Sequence, residues 1–150
     1  MAIEVKILNI DKVVDKFENI KRADLRKILA KATAFVHGEA RDRCPKNKDP
    51  RVQGGALRES IHMKVENDGD RVIGKVFTNK EYAMFVEFGT GARGSGSYPY
   101  ETDFQLKYRA DWAGMAAQPY MFPAIHENKD EIKQILIDGY TEVVRKAIGG

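Results

Sequence analysis

One cysteine, Cys44, stands among 150 residues. No internal disulfide is possible, which excludes a stapled secreted scaffold and suits a reducing cytoplasm. No apolar run approaches the ~20 residues that a membrane span requires. The opening Met-Ala-Ile-Glu-Val-Lys has no apolar core of the signal-peptide kind. We therefore expect no membrane partner. Neither sign of charge dominates: 25 Lys and Arg stand against 22 Asp and Glu, a formal net charge of +3, which commits the chain to no polyanionic ligand. Internal repeats and low-complexity runs are absent from the sequence. With 43% apolar and 31% charged residues, the chain has the size and balance of one ordinary domain, residues 1–150.

The usual signatures of catalysis and cofactor binding are also missing. The glycine-rich run at 89–97 lacks the Gly-Lys-Ser/Thr ending of a P-loop, and no Gly-x-Gly-x-x-Gly leads from a strand into a helix. His37, His62 and His126 have no metal-ligand spacing with Cys44 or with one another. His37 falls on a helix flank and His62 on the outer face of a hairpin. Nothing near Cys44 in sequence would depress its pKa, so it reads as an inert thiol at a helix end. Glu87, in Phe-Val-Glu-Phe-Gly, is the one carboxylate set among apolar neighbours, where a perturbed acid or base could sit. No second catalytic group accompanies it. We read it as structural, accepting hydrogen bonds from the backbone of the glycine loop or pairing with an arginine such as Arg58. We expect no catalytic residue, metal, cofactor or small-molecule substrate.

What is present points to an α+β architecture. Ile3, Val5 and Ile7 alternate with Glu4 and Lys6, the period of a half-buried strand. Asn9 can cap a short helix burying Ile10, Val13, Val14 and Phe17. A longer helix is expected from about Arg22 to Arg43, with the stripe Leu25, Ile28, Leu29, Ala32, Phe35, Val36 and Ala40, ended by Pro45. The polar stretch from Pro45 to Ala56 is a loop. A β-hairpin then turns at Asp68-Gly69. A two-residue turn there sets Val65 opposite Val72, Met63 opposite Gly74, and Ile61 opposite Val76, with Glu66 beside Arg71. Tyr82, Phe85 and Val86 predict a helical turn stopped by Gly89, with a strand as the alternative. Pro123 fits the first turn of a helix running to about Ile148 that buries Ile132, Ile135, Leu136, Tyr140, Val143, Val144 and Ala147. The expectation is a small, mostly antiparallel sheet packed against two long helices.

The segment from about 89 to 117 breaks this pattern, being about twice the length above which a connection becomes uncommon. Its glycine-rich start reads as a flexible tether. Beyond it come Tyr98, Tyr100, Phe104, Tyr108 and Trp112, and with Tyr120 and Phe122 they make 7 of the chain's 14 aromatics. That much apolar surface either packs on its own domain or docks on a partner. Charge is uneven too: residues 1–51 carry 13 Lys and Arg against 8 Asp and Glu, and the remainder 12 against 14. Arg26, Lys27, Lys31 and Arg41 share a helix face that is either simply solvated or faces nucleic acid or an acidic protein surface.

Three blocks together resemble a known family. They are Gly55-Ala-Leu-Arg-Glu-Ser-Ile61, Tyr82-Ala-Met-Phe-Val-Glu-Phe-Gly-Thr-Gly91 and Ala117-Gln-Pro-Tyr-Met-Phe-Pro-Ala-Ile125. Their order, between an N-terminal and a long C-terminal helix, is similar to the tail-component family of siphophages named after the tenth gene product of a lambdoid phage. The likeness spans roughly residues 20–148, and Gly54-Gly55 stands where the family usually has Thr-Gly. Leu57, Arg58 and Ser60 in the first block, Tyr82, Glu87, Gly89, Thr90 and Gly91 in the second, and Gln118, Pro119 and Pro123 in the third are, by this resemblance, residues of fold and assembly. The resemblance implies a non-enzymatic virion protein at the neck or tail end, assembled in the host cytoplasm. It would form a ring with other copies of itself and join the tail tube to the head connector. Arg93 and the aromatics from Tyr98 to Trp112 are then the candidate assembly residues. The basic helix face would meet an acidic neighbour or look toward packaged DNA. Two other classes remain: a sequence-independent nucleic-acid-binding module, and a small hydrolase built on Cys44 or Glu87.

Overall fold

The computed structural model describes residues 1–6, 22–46 and 55–149. Ile7, the helix expected after Asn9, and residues 47–54 of the expected loop lie outside these residues. The alternation at the start forms strand β1, Ala2–Lys6. The long stripe forms helix α1 over Arg22–Arg43, with Leu25, Ile28, Leu29, Ala32, Val36 and Ala40 buried as expected. Phe35 is only half-buried, and Thr33 joins the core instead. Asp24 in the first turn and Arg41 and Arg43 in the last complement the helix dipole.

Strands β2 (Ile61–Asp68) and β3 (Arg71–Thr78) form the expected hairpin, and β1 pairs with the other edge of β3. All pairing is antiparallel, in the order β1-β3-β2. The register differs from expectation by two residues. Val65 faces Gly74, Met63 faces Val76, Ile61 faces Thr78, and Val72 faces Asn67. Glu66 lies opposite Ile73, not beside Arg71, and is ion-paired to Lys64 at 2.6 Å and to Lys75. Gly69 and Asp70 make the turn, and Gly69 takes φ +58° in its first position, the positive φ that the two-residue hairpin turns need there.

A two-residue shift leaves every side chain on its expected face, so the apolar pattern alone does not distinguish the two registers. The difference lies in the turn, which falls at Gly69-Asp70 and not at Asp68-Gly69, and so moves the pairing by two residues. Helix α1 crosses the buried face so closely that a Cβ at Gly74 would overlap the Thr33 hydroxyl, which itself donates to the Leu29 carbonyl at 2.7 Å. Gly74→Ala is therefore expected to cost about 2 kcal/mol, in the overpacking range. Thr33→Ala in the same chain should recover about half of that loss in a urea-denaturation double-mutant cycle. Purely additive losses would place the clash elsewhere.

Five more helices complete the described fold. They are α2 (Ala56–Glu59), α3 (Ala83–Phe88), α4 (Gly91–Gly94), α5 (Met121–His126) and α6 (Lys129–Gly149). The single helix expected from Pro123 to Ile148 is thus two. The break follows from Asn128, whose side chain donates to Glu39 Oε2 at 3.0 Å and to the Ala124 carbonyl at 3.1 Å, while its carbonyl accepts the Ile132 N–H that starts α6. Of the stripe expected to be buried, only Ile132 is; Ile135, Leu136, Tyr140, Val143 and Val144 are half-buried and Ala147 is exposed. The reason is position: the chief neighbour of α6 is α1, not the sheet. Helix α6 runs back along α1, from Asn128 beside Glu39 to Lys146 and Ala147 beside Ala23 and Asp24. No described helix is long and apolar enough to cross a membrane.

Candidate assembly site

The second and third sequence blocks meet at Glu87. Its side chain is 1% exposed at the end of α3. Oε2 accepts the N–H groups of Tyr120 at 2.8 Å and Met121 at 2.9 Å, and Oε1 accepts that of Phe122 at 3.1 Å. The Tyr98 hydroxyl donates to Oε1 at 3.4 Å. These partners correct both expected ones. Arg58 is ion-paired to Asp42 at 2.7 Å instead, and the N–H groups belong to the start of α5, not to the glycine loop. The first turn of a helix leaves its N–H groups without partners, and Tyr120, the residue before α5, makes no side-chain cap. A carboxylate brought from α3 fills that role. Burial first, and then the Glu87 charge, push the Tyr98 phenol well above its ordinary range.

The other block residues brace the same region. Leu57 is the buried residue of α2, and the Ser60 hydroxyl bonds to the Leu57 carbonyl and to Thr78 Oγ1, both at 2.7 Å. The Gln118 N–H donates to the Val86 carbonyl at 2.8 Å, tying the third block to the second. Pro123 is buried within α5 and Pro119 is half-buried before it. Tyr82 and Phe85 are exposed, and the α3 side chains that fill the core are Ala83, Glu87 and Phe88.

The segment 89–117 is not a tether carrying a sticky tail. Its glycine run folds into α4, and its two ends are bonded together. Thr90 and Met115 exchange backbone hydrogen bonds at 2.8 and 3.0 Å, and the N–H groups of Ala92 and Arg93 donate to the carbonyls of Trp112 and Ala113 at 2.8 and 2.9 Å. The Ala117 N–H donates to Ser97 Oγ at 2.8 Å, and the Tyr108 hydroxyl reaches back to the Phe88 carbonyl at 2.9 Å. The aromatics then divide. Tyr98 packs edge-on against Phe88 with centroids 4.8 Å apart, and Tyr100 lies 5.0 Å from Phe122. The Tyr100 hydroxyl donates to Glu127 at 2.6 Å, and Arg43 bridges Glu127 to Glu39. Phe104 touches Phe88 yet stays 59% exposed, and Trp112 is 54% exposed. Of the seven aromatics, two are therefore presented outward from a pinned loop.

The basic face of α1 does not act as one surface. Arg26 donates to Asn67 Oδ1 at 2.9 Å and to the Val65 carbonyl at 3.0 Å, so it belongs to the hairpin edge. Arg41 is half-buried. Lys27 and Lys31 remain exposed, lining a groove against α6 that also holds Asp24 and Glu142. Arg93 is exposed on α4. Cys44 lies in the core, and burial pushes its thiol up to about 11, which keeps it protonated and a poor nucleophile at neutral pH. Among the described residues no group of His, Cys, Asp and Glu is arranged to hold a metal.

Sequence reasoning missed Gly114, Ser97 and Glu127, which hold the loop closed. Their partners lie 20 or more residues away, and nothing in the local pattern marks them. A model of the HK97-gp10-like bacteriophage tail-component family matches residues 8–89. The matched span includes α1, the hairpin and α3 through Glu87 and Gly89, and ends where the loop begins. No curated protein and no solved structure matches the chain.

Proposed function

Because this chain belongs to the HK97-gp10-like family of bacteriophage tail components, we propose that it acts at the head–tail junction. In this reading it completes the head-proximal end of the tail as a ring of copies and joins the tail tube to the head connector, without catalysis. The observation that carries the reading is the pinned loop. Trp112 and Phe104 are more than half exposed, yet the backbone beneath them is fixed by the Thr90–Met115 exchange and the Tyr108 hydroxyl. A rigidly presented pair of aromatics binds a partner at small entropic cost, and tryptophan is frequent among interface hot spots.

Two further observations support a structural role over an enzymatic one. Both oxygens of Glu87 accept hydrogen bonds from backbone N–H groups, and the Cys44 thiol is buried and protonated. The nucleic-acid reading is weakened because Arg26 is occupied by the hairpin. Of the four cations on this face of α1, Lys27 and Lys31 remain exposed for proximity to packaged DNA.

Complementation of a phage lacking this gene tests the proposal. The wild-type chain should restore joined particles. A Phe104→Ala, Trp112→Ala double variant should leave filled heads and full-length tails side by side, unjoined, in electron micrographs. Joined particles at the wild-type yield would contradict the role given to the loop. Absence of tails altogether would place the protein at an earlier step of tail assembly.

A further inference from the structure

Two surfaces lie at opposite ends of this molecule and complement one another. The first is a cavity of about 680 Å³ between β1 and the loop. Ile3, Phe88 and Phe122 line its apolar side, Phe104 stands at its wall, and Glu101 and Asp103 lie exposed on the loop segment that borders it. Glu87 also lines it. Among the described lining residues the one cation is the Met1 ammonium, which donates to the Thr78 carbonyl at 3.4 Å. The second surface is the last turn of α6. There Ile148 is 76% exposed, the most exposed large hydrophobic among the described residues, and Arg145 and Lys146 flank it in the open. Lys146 also pairs with Glu142 at 2.8 Å, a contact exposed on both sides and so worth little.

The fold separates the two surfaces by the length of a helix. Helix α6 starts beside Glu39, immediately after α5, which supplies Phe122 to the cavity. Its 21 residues then carry the chain about 30 Å to the other end of α1. The apolar cavity bordered by carboxylates is therefore at one end, and the apolar side chain flanked by cations is at the other.

We propose that the end of α6 from one copy seats in the loop cavity of the next. Ile148 enters between Phe88, Phe104 and Phe122, while Arg145 and Lys146 meet Glu101 and Asp103. Contact between two unlike patches of the same chain is heterologous, the kind that generates rings when its rotation closes. The inference rests on the ring reading above and names the contact that builds the ring. The occupant follows from charge: an anionic, apolar cavity selects a cationic, apolar insert, and this chain supplies one on every copy. One helix turn in one cavity buries less than the ~1,200 Å² of stable complexes. Copies should accordingly stay apart when dilute and join on the tail end.

The test uses tails purified from phage carrying Asp103→Cys together with Arg145→Cys. Mild oxidation should give a ladder of covalent multimers on a non-reducing gel, absent from either single variant; native Cys44 is buried and contributes no background. In parallel, Asp103→Arg and Arg145→Glu should each lower the yield of joined particles about tenfold or more, and the two together should restore it. Should the cysteine pair fail to enter tails, restoration by the reversed pair supports the contact and failure to restore overturns it. Tails that hold several copies of the chain but give no ladder overturn the contact and leave the ring standing. Tails that hold a single copy remove the ring and this contact with it.

Discussion

Replacing Glu87 with alanine is expected to cost about 4 kcal/mol of folding stability, a large part of the ~5–15 kcal/mol that holds a domain of this size together. The truncation removes the acceptor for the N–H groups of Tyr120, Met121 and Phe122 at once. Each buried donor left unpaired costs about 1–3 kcal/mol, and water entering the space should relieve part of the sum. Tyr98 would lose its partner as well, so the loop should loosen together with α5. Glu87→Gln keeps one acceptor oxygen but turns an NH2 group toward donors, and is expected to cost about half as much. Urea denaturation of the three chains measures both. A Glu87→Ala chain within about 1 kcal/mol of wild type would mean that the carboxylate is not what holds the second and third blocks together.

The second large effect is expected at Gly114. Its φ is +60°, and a Cβ there would overlap the Thr90 carbonyl. Thr90 exchanges the hydrogen bonds with Met115 that close the loop. A side chain in the way could rotate aside, but this obstacle is backbone, so Gly114→Ala must open the closure or distort it. Left-handed strain and steric overlap together should cost about 3 kcal/mol. The cost should be local, because α1 and the hairpin lie outside the loop. Helix content should change little, while amide exchange at Thr90 and Met115 should accelerate by about two orders of magnitude. Joining in the complementation assay should fall with it. Unchanged protection at both amides would show that the closure tolerates the substitution.

Sequence reasoning reached the parts of this fold that local chemistry decides. The α1 stripe runs from Leu25 to Ala40 within a helix of 22 residues and is followed by a proline, so the helix was legible. The hairpin was legible as a hairpin, because apolar residues alternate on both sides of a glycine turn. Its register was not, since two registers keep the same face buried and differ only in whether the turn falls at Asp68-Gly69 or at Gly69-Asp70. The same limit applies at Glu87. Its apolar neighbours Phe85, Val86 and Phe88 mark it as an unusual carboxylate, but its backbone partners lie 33 to 35 residues onward, beyond any local pattern. In the loop, composition announced flexibility at the glycines, whereas the fold uses Gly91 and Gly94 as buried points of close backbone approach. Aromatic content alone did not say which rings face inward. Within the loop, Tyr98, Tyr100 and Tyr108 each bond back to the body through their hydroxyls, a bond that the exposed Phe104 and Trp112 do not make.

The position of this protein in the particle tests the account most directly. Antibodies raised against the purified chain, coupled to gold and applied to intact and tail-only particles, should label a single place, the head-proximal end of the tail. The same label should be present on tails that have not yet met a head. Gold along the length of the tube, or at the distal tip, would contradict a junction role.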